Sequence, residues 1–470
     1  DLTLQYLIDN DIYSCAFVEA KGLLRRGDDK ISTCDIEMSA ITSLNAVDGS
    51  GMAPWRILSY DIESVPGAIP GKPNKFTFPS PWSDPVCTIG VALQIGSTVE
   101  QHVWLLNGPS ECSDREPLDI LKPLDNPPDE YRPEGTRVYS FDSELNMICN
   151  FYKFIVDRDV DFIEGHNINR FDNTYMMDRY CCLMHFSTGG KEHDINKLKF
   201  KKRDVKHMPC IGRLKDSYSK DLYQRSYISK QSFSSSQKGT HEKFKLFLPG
   251  RIVLDSYDIM KDQHNESSYK LDNLAAKYLG TKKIEQDYNE IPRMFRSQKG
   301  RHDLAVYCIK DSWLVRKMMD KLCKLTVLLQ MANVTGISVK DVIERGQGIR
   351  TIGLMLRYCK RRQPEYFIPR LVREETTTIK KVYDMRIREY VDMEVTVEPE
   401  SFEGAVVVDP DVGFYIDAVS CLDFASLYPS IMRALNMSYE TLVSRQTIID
   451  KEWREDHEVR TIPDFEYVNK

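Results

Sequence analysis

The chain has 470 residues, 41% of them hydrophobic and 29% charged, with 64 Lys and Arg against 70 Asp and Glu for a net charge of −6. These values exclude a disordered or fibrous chain and predict more than one domain. The 12 cysteines form no Cys-x-x-Cys pair and the 9 histidines no His-x-x-x-His pair, which argues against a zinc ribbon or a disulfide scaffold and for a reducing compartment.

The longest apolar stretch, residues 86–99, is broken by Gly90, Gln94, Gly96 and Ser97 and is too short to span a bilayer. No secretory signal opens the chain, so a protein that is neither secreted nor membrane-bound is expected. Asp1 is not an initiator Met, so a fragment is expected.

In chain order, 1–54 reads as part of an N-terminal domain, and 55–330 as an α/β domain with a mixed sheet. Within it, 57–63, 86–95, 102–106 and 160–165 read as strands. Pro and Gly clusters at 66–81 and 108–134 read as loops. Residues 143–157 carry apolar groups at helical spacing, 243–254 read as strand, turn and strand, and 268–279 as a helix stopped by Gly280. A single amphipathic helix is expected over 302–329. Residues 331–398 read as a helical connection, and 399–470 as a further region with strands at 405–408 and 414–423.

Three segments carry carboxylates in unusual places. In the strand at 57–63, alternation puts Asp61 and Glu63 on one face, where like charges repel unless a cation lies between them. Such a pair suits a hard divalent ion, although a solvated face is the simpler account of the pair alone. The same letters recur at Asp35-Ile36-Glu37, outside any core strand, and read as solvated surface. In the helix at 302–329, Asp311 falls in the apolar stripe one turn after Tyr307, so it is either ion-paired or metal-bound. After the strand ending at Glu164-Gly165, Asp172 sits either as a helix cap or at the strand end where α/β sheets place their chemistry. Together Asp61, Glu63, Asp172 and Asp311 are enough oxygen ligands for two Mg²⁺ ions about 3.5–4 Å apart, which can activate a water and stabilise the leaving oxygen of a phosphodiester. Tyr307 can orient that water.

These strings, Tyr60-Asp61-Ile62-Glu63, Asn167 to Asp172, and Tyr307-Cys308-Ile309-Lys310-Asp311, resemble the three exonuclease motifs of family B DNA polymerases, in order. Ser232-Phe233 to Gly239, Gly250-Arg251, Ser268-Tyr269-Lys270-Leu271 and Arg345-Gly346-Gln347 resemble the delta-type branch, cellular or of large DNA viruses. The resemblance covers nearly the whole chain. It implies an RNase H-like 3′→5′ proofreading domain over 55–330, part of a β-rich N-terminal domain before it, and Asn167 as a DNA contact.

Leu422-Asp423-Phe424-Ala425-Ser426-Leu427-Tyr428-Pro429-Ser430-Ile431 reads from its residues as an Asp-capped turn before a helix with Ile431, Met432 and Leu435 packed inward. It resembles the first palm motif of the same family. That resemblance makes Asp423 a metal ligand of the polymerase site. Ser426 and Leu427 would present backbone to the incoming nucleotide, and Tyr428 would reject a 2′-hydroxyl. Phe402-Glu403-Gly404-Ala405 resembles the Tyr-x-Gly-[Gly/Ala] template contact, with Phe402 in place of Tyr, so Phe402 and Gly404 are expected DNA contacts. The family's fingers helix and its Tyr-Gly-Asp-Thr-Asp string are not in the sequence, which implies a front portion cut within the palm.

The implied cofactor is Mg²⁺, two ions per site, with Mn²⁺ as a substitute. The implied partners are primer-template DNA, dNTPs and a sliding clamp or other processivity factor, and the implied location is the nucleus or a viral replication site. A stand-alone exonuclease is the alternative, and a non-catalytic scaffold a third. Two basic runs, Lys197/Lys199/Lys201/Lys202/Arg203/Lys206 and Arg357/Lys360/Arg361/Arg362, either track phosphates or form solvated faces. The segment 221–254, with Phe233, Phe244 and Phe247, is either a strand-separating hairpin, as the resemblance implies, or core packing.

Overall fold

The computed structural model describes residues 2–49, 51, 53–69, 71, 75–112, 114–124, 131–190, 209–215, 226–235, 239–283, 286–361, 377–384, 389–396, 408–437, 442–443, 458–462 and 465–469. The chain divides into two compact units, 1–357 and 358–470.

The first unit opens with helix α1 (Leu2–Asp9) and an antiparallel ribbon of β1 (Phe17–Leu24) and β2 (Met38–Val47). A mixed six-stranded sheet follows, built from β3 (Arg56–Ser64), β4 (Val86–Ile95), β5 (Thr98–Leu106), β6 (Arg137–Phe141), β7 (Phe162–Gly165) and β10 (Ile252–Asp255), in the order β10-β7-β3-β4-β5-β6. β3, β4 and β5 form an antiparallel meander, while β7 runs parallel to β3, β10 to β7 and β6 to β5. This is the mixed α/β class expected. β5 starts earlier than its sequence suggests, because Thr98 and Val99 pair with Ile95 and Gln94 across a two-residue turn. The edge strand β6 has no run of apolar residues to mark it. Between β7 and β10, β8 (Tyr227–Ser235) and β9 (Gly239–Phe247) form the expected antiparallel hairpin, with Phe244 and Phe247 half-buried. The Phe233 side chain lies outside the described residues.

Alternation along β3 divides its two faces. Leu58, Tyr60 and Ile62 pack with α2 (Glu144–Asp157) and α3 (Asp172–Ser187), against Phe151, Tyr152, Met176 and Met177. Ser143 caps α2 by accepting from the Asn146 N–H. The opposite face meets α4 (Ser256–Gln263), α5 (Leu271–Leu279) and, beyond the short α6 (Ile291–Phe295), the long α7 (Gln298–Lys321). Here Ile57, Phe162 and Leu254 pack on Leu274, Leu314 and Met318. Asp61 and Glu63 therefore lie on the α7 side.

The single helix expected over 302–329 is two. Leu322 ends α7, Cys323 adopts a left-handed φ of 49°, and α8 (Lys324–Thr335) restarts. Helical spacing persists through the break because Leu325, Leu328 and Leu329 pack into the same core. α9 (Val339–Glu344) and α10 (Gln347–Arg361) follow. Arg357 is not available to track phosphates. It is buried, donates to the Ile12 and Gly336 carbonyls at 2.5 and 3.1 Å, and lies over the Tyr13 ring.

In the second unit, the helical character expected up to 398 gives way to an antiparallel pair, β11 (Thr377–Asp384) with β12 (Glu389–Thr396). Its Thr, Val, Ile and Tyr residues suit a pleated strand better than a helix. Residues 414–423, expected as a strand, form none: among the described residues no strand pairs with them, and Phe414, Ile416 and Leu422 are exposed. Apolar alternation does not make a strand without a neighbour to take its backbone hydrogen bonds. Helix α11 (Leu427–Ala434) follows a left-handed Ser426. Pro429 is tolerated at its third position, where the N–H would have no intrahelical acceptor. Ile431 and Met432, expected inside, are exposed, and Leu435 is half-buried, because no described residue of this unit covers that face. The short strands β13 (Leu442–Val443), β14 (Glu458–Ile462) and β15 (Phe465–Asn469) form a sheet in the order β13-β15-β14. Lys197 to Lys206, Arg362, Phe402, Glu403, Gly404 and Ala405 lie outside the described residues. Among the described residues no helix is long and apolar enough to cross a membrane.

Candidate active site

Three local features bring the acidic side chains of the first unit together. The first is the short length of β7. Its pairing with β3 stops at Ser59–Glu164, so the β3 backbone beyond is open on that edge, and the Ile62 N–H donates to Asp172 Oδ1 at 3.2 Å. Asp172 thus meets β3 between Asp61 and Glu63. It is the first residue of α3 rather than its cap; Phe171 holds the cap position without a capping side chain. The neighbouring Asn173 ties the same helix to the strand, accepting from the Tyr60 hydroxyl at 2.6 Å.

The second feature is Gly90, which faces Asp61 across the β3–β4 ladder. A Cβ there would lie 2.6 Å from the Cys308 carbonyl carbon and 2.7 Å from the Ile309 nitrogen. Only a glycine lets α7 come this close to the sheet. Ser312 fixes the contact by donating to the Gly90 carbonyl at 2.8 Å, and the Cys308 thiol lies 3.2 Å from the Asp61 carbonyl oxygen. A buried ion pair one turn further on, Arg316 Nη1 to Glu164 Oε2 at 2.8 Å, anchors α7 to β7.

The third feature is the loop after α5. Gly280 ends the helix at φ 72°, and the Lys283 N–H donates to Asp272 at 3.0 Å. The Lys283 ammonium then reaches Asp311 Oδ2 at 2.5 Å and lies 4.8 Å from the centre of the Tyr307 ring. Sequence reasoning missed Lys283. An ion pair for Asp311 was one of two alternatives open in the sequence; the partner is a lysine, and the pair lies inside the acidic group.

The charges of Asp61, Glu63, Asp172 and Asp311 act on one another. Burial raises all four carboxyls, most of all by removing water. Asp61 and Glu63 keep a partly exposed edge but are surrounded by charge of their own sign: Asp172, Asp311 and Glu63 push Asp61 well above the usual range. Glu63 is pushed up to about 8, against the pull of Lys283. Asp172 reaches about 7, although the Ile62 N–H works against the rise. Burial opposes the charge on Lys283, but Asp311, Asp61 and Glu63 outweigh it and hold the ammonium well above its ordinary value. Burial and the same carboxylates keep Tyr307 protonated.

The donor set, four oxygen acids against one ammonium, fits hard divalent cations. Asp311 is 1% exposed, and the Lys283 ammonium and the Tyr307 hydroxyl both favour its ionised form against the rise that burial causes. Among the described residues no three Asp, Glu, His or Cys side chains already stand in ligating positions. Like charges with only one ammonium between them have no reason to close up.

A pH dependence follows from these shifts. The folded carboxyls bind protons that the unfolded chain releases near pH 4, so stability falls as pH rises toward the folded values. In metal-free buffer the thermal midpoint should drop between about pH 7 and 8.5, above the range where the histidines titrate. Added Mg²⁺ should raise it more at the upper end, because ligand deprotonation then costs less. Differential scanning calorimetry checks this; an equal Mg²⁺ shift at both pH values would remove the metal assignment.

The decoy carboxylates lie apart, in the loop before β2 and at its foot. Asp35 is exposed. Glu37 is an anchor rather than solvated surface, accepting from the Ile31 and Ser32 N–H groups and the Ser32 hydroxyl. In the second unit, Asp423 and Tyr428 are exposed and flank the turn into α11, with Ser426 and Leu427 at its start.

The first unit thus presents a six-stranded mixed sheet with four interacting carboxylates beside a tyrosine. Residues 1–274 match the family described as DNA polymerase family B, exonuclease domain, and residues 337–469 match DNA polymerase family B. The chain belongs to the family B DNA polymerases. It is similar to the DNA polymerase delta catalytic subunit of Dictyostelium discoideum, with 31% identity over 94% of this chain and 34% of that protein. To the Schizosaccharomyces pombe subunit of the same name it is 29% identical, over 99% of this chain and 37% of that protein. The chain thus spans about a third of the length of the curated relatives it matches. The family B DNA polymerase of Pyrobaculum calidifontis aligns with a TM-score of 0.49 and 20% identity, over 99% of this chain and 45% of that one.

Proposed function

We propose that the first unit removes nucleotides from DNA 3′ ends in the 3′→5′ direction, as the proofreading part of a DNA-directed DNA polymerase. The observation that carries this reading is the mutual charge of Asp61, Glu63, Asp172 and Asp311 around one face of β3. These four would hold Mg²⁺, which when bound supplies an activated water and stabilises the leaving oxygen. Lys283 holds Asp311 and offers positive charge to the phosphate. Tyr307, kept protonated, donates a hydrogen bond to the water or the phosphate. Phe78, 77% exposed and edge-on to Phe171 at 5.6 Å, offers a ring on which a terminal base can stack, and Phe171 shares with Asn167 the loop before Asp172.

The test is a 5′-labelled single-stranded oligonucleotide incubated with the chain and Mg²⁺. A ladder shortening from the 3′ end, abolished by chelator, supports the reading; internal cuts or loss of the 5′ label overturn it.

In the whole enzyme, Asp423 would be a metal ligand of the polymerase site, Ser426 and Leu427 would meet the triphosphate, and Tyr428 would exclude a ribose 2′-hydroxyl. Phe402 and Gly404 would contact the template. Primer-template DNA, dNTPs and a sliding clamp would be its partners, in the nucleus or at a viral replication site. For Tyr428→Ala the ratio of kcat/KM for dNTP over rNTP should fall; an unchanged ratio with lower activity would leave Tyr428 a packing residue.

A further inference from the structure

Asp255 is a buried acid that the chemistry above does not use. It ends β10, paired with Gly165 of β7, and is 5% exposed. Its Oδ1 accepts from the Asn167 N–H at 2.9 Å and the Tyr257 N–H at 3.0 Å, and its Oδ2 accepts from the Asn169 N–H at 3.1 Å. One carboxylate therefore caps α4 and holds two amides of the loop between β7 and Asp172.

That loop needs holding. Asn167 has a left-handed φ of 59°, and Gly165 must lack a Cβ because Ile168 folds to within 2.6 Å of where one would stand. A second tether lies beside the first: His166 binds the Ser256 hydroxyl through Nδ1 and the Tyr269 carbonyl through Nε2, both at 2.9 Å. Within the loop, Asn169 accepts from the Asn173 side chain, which in turn accepts from Tyr60 of β3. The path runs unbroken from Asp255 to the strand that bears Asp61.

We propose that Asp255, with His166 as the second tether, is the positioning residue that sets the Asn167–Asp172 loop for the terminal nucleotide. The proposal rests on the exonuclease reading of Asp172. A mere capping role predicts that any good cap suffices, and three variants separate the two. Asp255→Ser keeps a cap acceptor for α4 but is too short to reach both loop amides. Asp255→Asn keeps Oδ1 and turns an amide NH₂ toward the Asn169 N–H. Asp255→Ala loses everything.

Exonuclease kcat/KM on a single-stranded oligonucleotide should fall about 10- to 10²-fold in Asp255→Ser and Asp255→Ala, and less in Asp255→Asn, with KM rising as Asn167 drifts and kcat falling as Asp172 does. Amide exchange at Asn167 and Asn169 should quicken in Asp255→Ser while α4 stays protected. Parent-level kcat/KM in Asp255→Ser overturns the proposal. If Asp255→Ser does not fold, Asp255→Asn decides in its place, with parent-level values again overturning it. Asp61→Ala run alongside keeps the two readings apart. Activity in Asp61→Ala sinks the exonuclease reading, whereas a dead Asp61→Ala beside a fully active Asp255→Ser sinks only the positioning role.

Discussion

Asp61→Ala should lose exonuclease activity by about 10²-fold or more, because it removes a ligand for the cations that neutralise charge developing at phosphorus. Loss of fold is the competing explanation, and the electrostatics of the site separate the two. Asp61 is forced toward its protonated form by burial and by Asp172, Asp311 and Glu63, so its ionised form costs stability in the metal-free protein. Asp61→Asn keeps the shape and removes that charge. It should be as inactive as Asp61→Ala yet melt at or above the parent midpoint at pH 8 without metal. Asp35→Ala, which changes an exposed carboxylate, should leave both readouts near parent values. Full activity in Asp61→Ala would end the assignment, and a lower midpoint in Asp61→Asn would end the electrostatic account of it.

The second large effect is at Gly90. A methyl group there points into the backbone of α7, 2.6 Å from the Cys308 carbonyl carbon and 2.8 Å from its oxygen, and neither neighbour is a flexible side-chain end. The helix must lift from the sheet. Overpacking against backbone puts Gly90→Ala near the upper end of the usual range, at about 3 kcal/mol of lost stability. Asp311 lies on α7 one turn beyond Cys308, so the same lift should separate it from Asp61 and lower the exonuclease rate of the molecules that remain folded. Denaturant unfolding and single-turnover hydrolysis measure the two effects. A folded Gly90→Ala with parent stability would show that α7 is not held at contact distance by this glycine. The Arg316–Glu164 ion pair, from the other side, keeps the register of the same helix, and breaking one partner of such a pair leaves a buried charge uncompensated.

Much of this site was legible in the residue order. Period-two alternation placed Asp61 and Glu63 on one face, and helical spacing placed Tyr307 and Asp311 in one buried stripe, because those relations are local and set by backbone geometry alone. The motif strings carried the family. Lys283 was not legible: in Gly-Thr-Lys-Lys it looks like any exposed loop lysine, and only the position of α7 turns it toward Asp311. Asp255 was equally silent, since its partners Asn167 and Asn169 come from the far side of the β7–β10 pair. The strand expected at 414–423 failed for the converse reason. Its alternation is local, but a strand exists only where another supplies hydrogen bonds, and among the described residues none is paired there. Residue type and spacing along single elements were enough to single out the acidic group as suited to a divalent cation. Which charges meet follows from the packing of distant segments, because burial and the distances between them, not spacing along the chain, set whether four acids repel, share one lysine, or stand apart as Glu37 does.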